Sequence, residues 1–153
     1  DDNGIIIRDT QMIQIPGTID SLKYDLKNNG LSMTLDRNLS NIIAENFLNL
    51  SNPFLKRNNY SLNTIDKILV HPGGQKILRM MEKILLEYEK DLYESKFIMN
   101  KYGNLSSATL GFILKEYINN KHNNLEDKIL MLGFGPGMAA HQLFLEWKGY
   151  DGL

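Results

Sequence analysis

The chain has 153 residues and none of them is cysteine. This absence excludes disulfide bonds, thiolate metal sites and a cysteine nucleophile within the chain. The spacing of histidine, aspartate and glutamate predicts no metal site either. Covalent chemistry that needs a thiol would therefore depend on a thiol from outside these residues.

The sequence also lacks an excess of charge and a long apolar run. Its formal net charge is -1 and its lysines and arginines are scattered, which argues against nucleic-acid partners and a polybasic membrane surface. The longest apolar run, residues 129–140, is broken by glycines and a proline and is too short to cross a bilayer. The acidic first residues do not resemble a secretory signal. We therefore expect a cytoplasmic protein.

What the sequence does contain is the composition of a folded globular protein. Hydrophobic residues make up 42% and charged residues 23%. A chain of this length suits one compact domain or one part of a larger domain. We treat residues 1–153 as a single structural unit.

Short apolar runs alternate with amphipathic segments along the chain. We predict strands at residues 31–35, 65–70, 129–132 and 139–147. We predict helices at residues 38–50, 92–100 and 106–117, with a fourth helix after a turn at 72–74. We predict polar loops at residues 51–61 and 121–127. This order predicts an α/β class, a mixed sheet covered by helices, with ligands bound beyond the carboxyl ends of strands.

Three motifs fall at the ends of these elements: HPGG at 71–74, YGNLSSA at 102–108 and GFGPG at 133–137. Their order and spacing resemble the type III polyketide synthases, the chalcone and stilbene synthase family, over residues 15–147. Ketoacyl synthases usually follow the histidine with Gln-Ala-Asn, and fatty-acid elongases typically lack the proline of the glycine loop. The resemblance implies a thiolase-like fold, of which residues 1–153 would form the C-terminal half.

The resemblance also implies a Cys-His-Asn catalytic site, in which His71 and Asn104 match the histidine and the asparagine. In the family a cysteine accepts an acyl group from coenzyme A, malonyl-coenzyme A loses carbon dioxide, and the enolate attacks the thioester. An imidazole can pair with a thiolate, and imidazole and carboxamide can donate hydrogen bonds to a thioester oxygen as it gains negative charge. Acyl-coenzyme A and malonyl-coenzyme A are then the substrates, no cofactor is needed, and the N-terminal half of the same domain supplies the cysteine.

Further positions match the substrate cavity of the family. Met33 matches a gatekeeper phenylalanine, Tyr24 lies near a position that is often glycine in chalcone-forming enzymes, and Ser106 matches a pocket serine but could equally cap a helix. The glycine loop that shapes the cavity comprises Gly133, Phe134, Gly135, Pro136 and Gly137. A flexible methionine admits aliphatic chains more readily than a rigid ring. We expect a medium or long fatty acyl starter, giving an alkylated pyrone, resorcinol or phloroglucinol.

Each motif also has a plain structural interpretation. By itself, His71 is more often a satisfied core histidine and Asn104 a turn or cap residue, whereas the ordered set favours catalysis. The glycine loop can be a tight connection between strands as well as a cavity wall. The other histidines, His122 in a polar loop and His141 on a strand face with leucines, are not catalytic candidates.

Two other functions stay open at this point. The chain could be a non-catalytic fragment or subunit kept for its fold or a partner, or another thiolase-superfamily condensing enzyme, of ketoacyl synthase or elongase type. A type III parent would be a homodimer, or a domain fused to a fatty-acid-synthase-like module in a hybrid. We expect this chain alone to be inactive and poorly stable, with apolar faces of the strands at 65–70 and 129–132 exposed.

Overall fold

The computed structural model describes residues 3–120 and 123–149, so His122 and part of the predicted loop at 121–127 lie outside the described residues. The strands are β1 (Ile5–Gln14), β2 (Leu22–Lys27), β3 (Gly30–Leu35), β4 (Lys67–Val70), β5 (Lys128–Gly135) and β6 (Ala139–Trp147). The helices are α1 (Leu39–Arg57), α2 (Gln75–Leu85), α3 (Tyr93–Tyr102) and α4 (Ala108–Ile118), with a 3₁₀ turn at Leu86–Tyr88.

Four strands form one mixed sheet in the order β1-β6-β5-β4. The central strand β6 is antiparallel to both neighbours, whereas β4 and β5 run parallel. In this register Ile5 lies opposite Trp147, and just beyond this pair the backbone N–H of Gly4 donates to the carbonyl of Gly149 at 2.5 Å. Strands β2 and β3 pair separately as an antiparallel hairpin.

Helices cover both faces of the sheet. The face under α1 and α2 is built from alternate strand residues such as Ile68, Leu130 and Phe144, packed against Phe47 and Met81 of the helices. The face under α3 and α4 uses the other strand positions, Leu69, Ile129, Met131, Leu145 and Trp147. This alternation is the two-residue period of a strand buried on both faces, and it confirms the predicted α/β class.

Helix α1 is longer than predicted, because residues 51–57 are helical rather than loop. The proline of this segment, Pro53, misled the prediction, since proline removes a helical hydrogen bond. The helix continues through it because Phe54 and Leu55 are fully buried against the sheet. Gln142 of β6 also donates a side-chain hydrogen bond to the carbonyl of Leu50, at 3.2 Å. Tertiary packing therefore outweighs the local preference.

Two smaller differences concern helix ends. Asn38 stands at the N-cap of α1, but its side chain makes no cap hydrogen bond to the helix backbone and instead accepts from Asn41. The fourth predicted helix, α2, ends at Leu85 and is followed by the 3₁₀ turn at Leu86–Tyr88. In the described ranges, no helix is long and apolar enough to span a membrane.

The expected exposure of strands β4 and β5 is wrong. Residues 68–70 and 129–132 are all buried, because α3 and α4 cover the face that was expected to be open. The hairpin instead carries strongly exposed apolar side chains, since Leu26 is 84% exposed and Leu31 is 71% exposed. The hairpin is therefore an uncovered apolar surface, whereas strands β4 and β5 are covered.

Candidate active site

A cavity of about 310 Å³ lies between the β2–β3 hairpin, helix α1 and three loops at the strand and helix ends. It is lined by Leu22, Tyr24, Met33, Leu35, Leu39, Ile43, His71, Gly73, Ile77, Asn104, Ser106, Phe134 and Pro136. Seven of the ten predicted site residues belong to this lining. The three that do not are Gly133, Gly135 and Gly137, so their contribution to substrate binding stays a prediction.

His71 directly follows strand β4, where its backbone N–H donates to the carbonyl of Leu132 on β5 at 2.8 Å. This bond extends the parallel ladder by one residue and fixes the position of the ring at the sheet edge. The imidazole is half-buried, and Nδ1 has no hydrogen-bond partner among the described residues. Burial lowers the pKa of His71 below its ordinary value of 6.5. The lowered pKa favours the neutral ring at pH 7, and a proton on Nε2 avoids a buried Nδ1–H without an acceptor.

Asn104 lies in the turn between α3 and α4, and both ends of its carboxamide are held by backbone groups. Its Nδ2 donates to the carbonyl of Gly73 at 3.1 Å, and its Oδ1 accepts from the N–H of Ser106 at 2.8 Å. A carboxamide nitrogen carries two protons, so one donor of Asn104 is left over. The site thus holds two side chains able to donate to a ligand oxygen, His71 and Asn104.

The hairpin forms the apolar wall of the cavity. Its cross-strand pairs place Leu22 opposite Leu35 and Tyr24 opposite Met33, so that all four side chains share one face. Tyr24 is 48% exposed and Met33 is 51% exposed, because nothing among the described residues covers this wall from the other side.

The glycine loop is tighter than predicted. Residues 133–135 belong to β5, and only the turn at 136–138 separates β5 from β6. Phe134 and Pro136 face the cavity, whereas Gly133 is buried on the other side, where an added Cβ would lie 2.8 Å from Leu110 Cδ1. Both interpretations of this loop therefore apply, since it connects two strands closely and contributes to the cavity wall.

Six lining residues were not among the predicted site residues: Gly73, which belongs to the HPGG motif, and the aliphatic Leu22, Leu35, Leu39, Ile43 and Ile77. The alternation of Leu22, Tyr24 and Leu26 is a sequence signal for strand β2, which was not predicted. Helical spacing indicated that Leu39 and Ile43 share the inner face of α1, but spacing does not tell which end of a face borders a cavity.

Comparison with known proteins decides the family. The sequence profile described as chalcone and stilbene synthases, C-terminal domain, matches residues 6–147. This chain belongs to that family. A phloroglucinol synthase of Pseudomonas fluorescens is 28% identical over 149 residues, which cover 94% of this chain and 41% of that protein. A beta-ketoacyl-acyl-carrier-protein synthase III of Staphylococcus epidermidis is 28% identical over 124 residues, which cover 80% of this chain and 37% of that protein.

The solved structures show the same fold. In the crystal structure of 1,3,6,8-tetrahydroxynaphthalene synthase from Streptomyces coelicolor, a bacterial type III polyketide synthase, the likeness has a TM-score of 0.85 at 25% identity. It covers 95% of this chain and 42% of that one. The resemblance to type III polyketide synthases and the thiolase-like fold are therefore confirmed. This chalcone and stilbene synthase C-terminal domain spans 37% to 42% of the length of these three proteins.

Proposed function

We propose that this domain supplies the histidine and the asparagine of a type III polyketide synthase active site, whose cysteine comes from an N-terminal half. One observation carries the proposal. His71 and Asn104 are far apart in sequence, but they line one cavity together with the apolar wall of Tyr24 and Met33. The reaction would be the decarboxylative Claisen condensation of an acyl-coenzyme A starter with malonyl-coenzyme A.

The two donors suit each step of this reaction. When malonyl-coenzyme A loses carbon dioxide, the electron pair of the breaking C–C bond forms an enolate, and the thioester oxygen gains negative charge. His71 Nε2–H and the free Nδ2–H of Asn104 can both donate to that oxygen. The enolate carbon then bonds to the acyl carbon on the cysteine, the C–S bond breaks, and the thiolate leaves with the electron pair.

The protonation state of His71 would depend on the missing thiol. In this domain burial alone lowers the pKa of His71 and favours the neutral ring. A thiolate placed within a few ångströms would favour the imidazolium form and oppose that shift. The neutral imidazole can accept the proton of the cysteine, and the imidazolium that forms stabilises the thiolate as an ion pair, which offsets the effect of burial.

We further propose a medium or long fatty acyl starter. The hairpin wall is aliphatic at Leu22, Met33 and Leu35, and such a wall binds methylene groups by burial of apolar surface. The expected product class remains an alkylated pyrone, resorcinol or phloroglucinol. The homodimer, or a place in a hybrid synthase, is part of the same proposal.

A carrier-protein-dependent ketoacyl synthase is the second candidate, and the relative from Staphylococcus epidermidis favours it. The two candidates differ in the carrier of the acyl groups. Turnover with acyl- and malonyl-coenzyme A supports the type III function, whereas turnover only with carrier-protein thioesters supports the second candidate.

The test is to mix the purified 153-residue chain with the N-terminal half that carries the cysteine and to measure carbon dioxide release and condensation. Activity should need both polypeptides. In the mixture, His71→Ala should lower the rate on the order of a hundredfold or more, because one charge-stabilising donor is lost. The matched control is His141→Ala, since His141 is exposed on β6 and does not line the cavity.

Activity from the 153-residue chain by itself would contradict the proposal. So would a folded His71→Ala variant with the turnover of the His141→Ala control. Circular dichroism of both variants separates loss of catalysis from loss of fold.

A further inference from the structure

We infer that two backbone groups, the carbonyl of Gly73 and the N–H of Ser106, are the positioning groups that aim Asn104 into the cavity. They act through the carboxamide and do not contact substrate in this role. The inference rests on the proposed function, because it assigns how one of the two proposed donors is held. Ser106 would then act through its backbone N–H, which holds Asn104, rather than through its hydroxyl.

Ser106 has a backbone conformation that side-chain-bearing residues seldom adopt. Its φ is +56°, in the left-handed region, where a non-glycine residue is strained. In this conformation its N–H donates to Oδ1 of Asn104, two residues earlier, at 2.8 Å. Helix α4 begins at Ala108, and in the turn before it the Ser106 carbonyl also accepts from the N–H of Thr109 at 3.1 Å. Strain of this kind clusters at functional sites, where the surrounding structure enforces it.

Gly73 holds the opposite end of the carboxamide. Its carbonyl accepts from Nδ2 of Asn104 at 3.1 Å, across a separation of 31 residues. Its φ is +57°, and a Cβ at this position would lie 2.7 Å from Ile77 Cδ1. The left-handed conformation therefore favours glycine here, and an added Cβ would displace the end of the Ile77 side chain.

The two contacts together determine the orientation of the amide. With Oδ1 facing a donor and Nδ2 facing an acceptor, a 180° flip would place like groups against each other at both ends. One Nδ2–H is then bound to Gly73 and the other is free for a ligand. Gly73 is also only two residues from His71, in the turn where the N–H of Gly74 donates to the carbonyl of Pro72 at 2.5 Å. The same turn thus fixes the spacing between both proposed donors.

Among the described residues, no packing contact replaces these two hydrogen bonds in holding the Asn104 side chain. Asn104 is exposed in this domain, so packing does not hold its rotamer. Without the two backbone partners the carboxamide would rotate freely, and a donor displaced by about 1 Å loses on the order of a hundredfold in rate.

The first experiment measures the bond directly. In the chain labelled with nitrogen-15 and carbon-13, a through-hydrogen-bond scalar coupling between Asn104 Nδ2 and the Gly73 carbonyl carbon should be detected. This measurement does not depend on catalysis, so it tests the positioning even if the proposed function fails. A well-resolved spectrum in which the Asn104 amide shows no such coupling would overturn the inference.

The second experiment uses two matched pairs in the assembled enzyme, with carbon dioxide release from malonyl-coenzyme A as the readout. Gly73→Ala is compared with Gly17→Ala, because Gly17 also has a left-handed φ, +75°, but has nothing within 4 Å of an added Cβ and lies outside the cavity. Ser106→Val is compared with Ser106→Gly, since glycine tolerates φ +56° and valine does not.

The expected result is a loss of kcat of about tenfold or more in Gly73→Ala and in Ser106→Val relative to their partners, with KM within about twofold. The Nδ2 coupling should disappear in the same two variants. Folded variants that match their partners in kcat would overturn the inference. If Ser106→Val fails to fold, the Gly73→Ala and Gly17→Ala pair decides the outcome by the same criterion.

Discussion

Strands β4, β5 and β6 of the sheet and the β2–β3 hairpin are all apolar, but only the three sheet strands are covered. Every apolar position of β4 and the middle of β5 is buried by helices, whereas four hairpin side chains, Leu26, Leu31, Met33 and Leu35, are each more than half exposed. The opposite face of the hairpin is polar, with Lys23, Asp25, Ser32 and Thr34. The hairpin is therefore amphipathic without a counterpart among the described residues.

This difference separates what the domain needs for its own stability from what it presents for function. The sheet and its helices bury the core within one chain, which is why removing a core side chain should be costly here. The hairpin contributes little to that core beyond Leu22, and its open face borders the cavity. An apolar surface of this kind marks a site for a ligand or a partner.

The largest difference is expected for truncation of a core side chain. Phe47 of α1 is fully buried, and Phe47→Ala should lower the free energy of unfolding by about 3–5 kcal/mol, from lost burial and the cavity left behind. Met33→Ala on the hairpin should lower it by less than about 1 kcal/mol. Urea denaturation of both variants is the measurement. Equal losses would show that the hairpin is part of the core.

A smaller effect is expected when a single hydroxyl is removed from each region. Tyr117 of α4 is fully buried and donates to Asp127 at 2.9 Å, and burial with the neighbouring carboxylate raises the pKa of Tyr117. Tyr117→Phe should lower the free energy of unfolding by about 1–3 kcal/mol, because Asp127 loses a buried donor. Tyr24→Phe, on the hairpin, is the matched substitution and should change it by less than about 0.5 kcal/mol. If Tyr117→Phe leaves the free energy of unfolding unchanged, water has replaced the hydroxyl as the donor to Asp127.

A pH dependence is expected where the two regions meet, at His71. Its folded pKa is below the ordinary value of 6.5, so the unfolded chain binds more protons as the pH falls. The contribution of the neutral ring to stability is full above about pH 6.5 and declines below it. An NMR titration of the imidazole should give a midpoint below 6.5 in this chain and a higher midpoint after the cysteine-bearing half is added. A midpoint at or above 6.5 in the chain alone would contradict the burial of this ring.

The smallest effect on stability is expected at the hairpin tip. The double substitution Leu26→Ser and Leu31→Ser should change the free energy of unfolding by only about 0.5 kcal/mol, since both side chains are largely exposed. It should nevertheless reduce self-association, which light scattering over a concentration series can measure. Unchanged self-association would show that the chain self-associates through a surface other than the hairpin tip.

Local patterns predicted most of the layered fold and the two donors of the site. Helices α2, α3 and α4 and strands β3, β4, β5 and β6 follow from apolar periodicity and from turn residues. Strands β1 and β2 were not predicted. Strand β2 has a local alternation and pairs with its neighbour β3, whereas β1 depends on a distant partner. Strand β1 pairs only with β6, more than 120 residues away. Residues 5–14 show no apolar alternation that would predict this strand.

The cavity was only partly predictable for the same reason. The motifs identified His71 and Asn104, but the contact from Asn104 to the Gly73 carbonyl joins two turns that no local rule connects. The expectation that β4 and β5 would be open was wrong because it assumed that a half-domain exposes its sheet. In this chain α3 and α4 cover that face, whereas the hairpin leaves apolar side chains exposed.

The pairing of the first strand with the last has a consequence for engineering. Ile5 and Trp147 are direct neighbours, and the Gly4 N–H reaches the Gly149 carbonyl, so the described chain enters and leaves the fold at one corner. A short linker could join these two points, and new ends could be opened at the exposed hairpin tip, to give a circular permutant. The same corner would let the domain be inserted into a host protein as a cassette, attached through a single pair of adjacent connections.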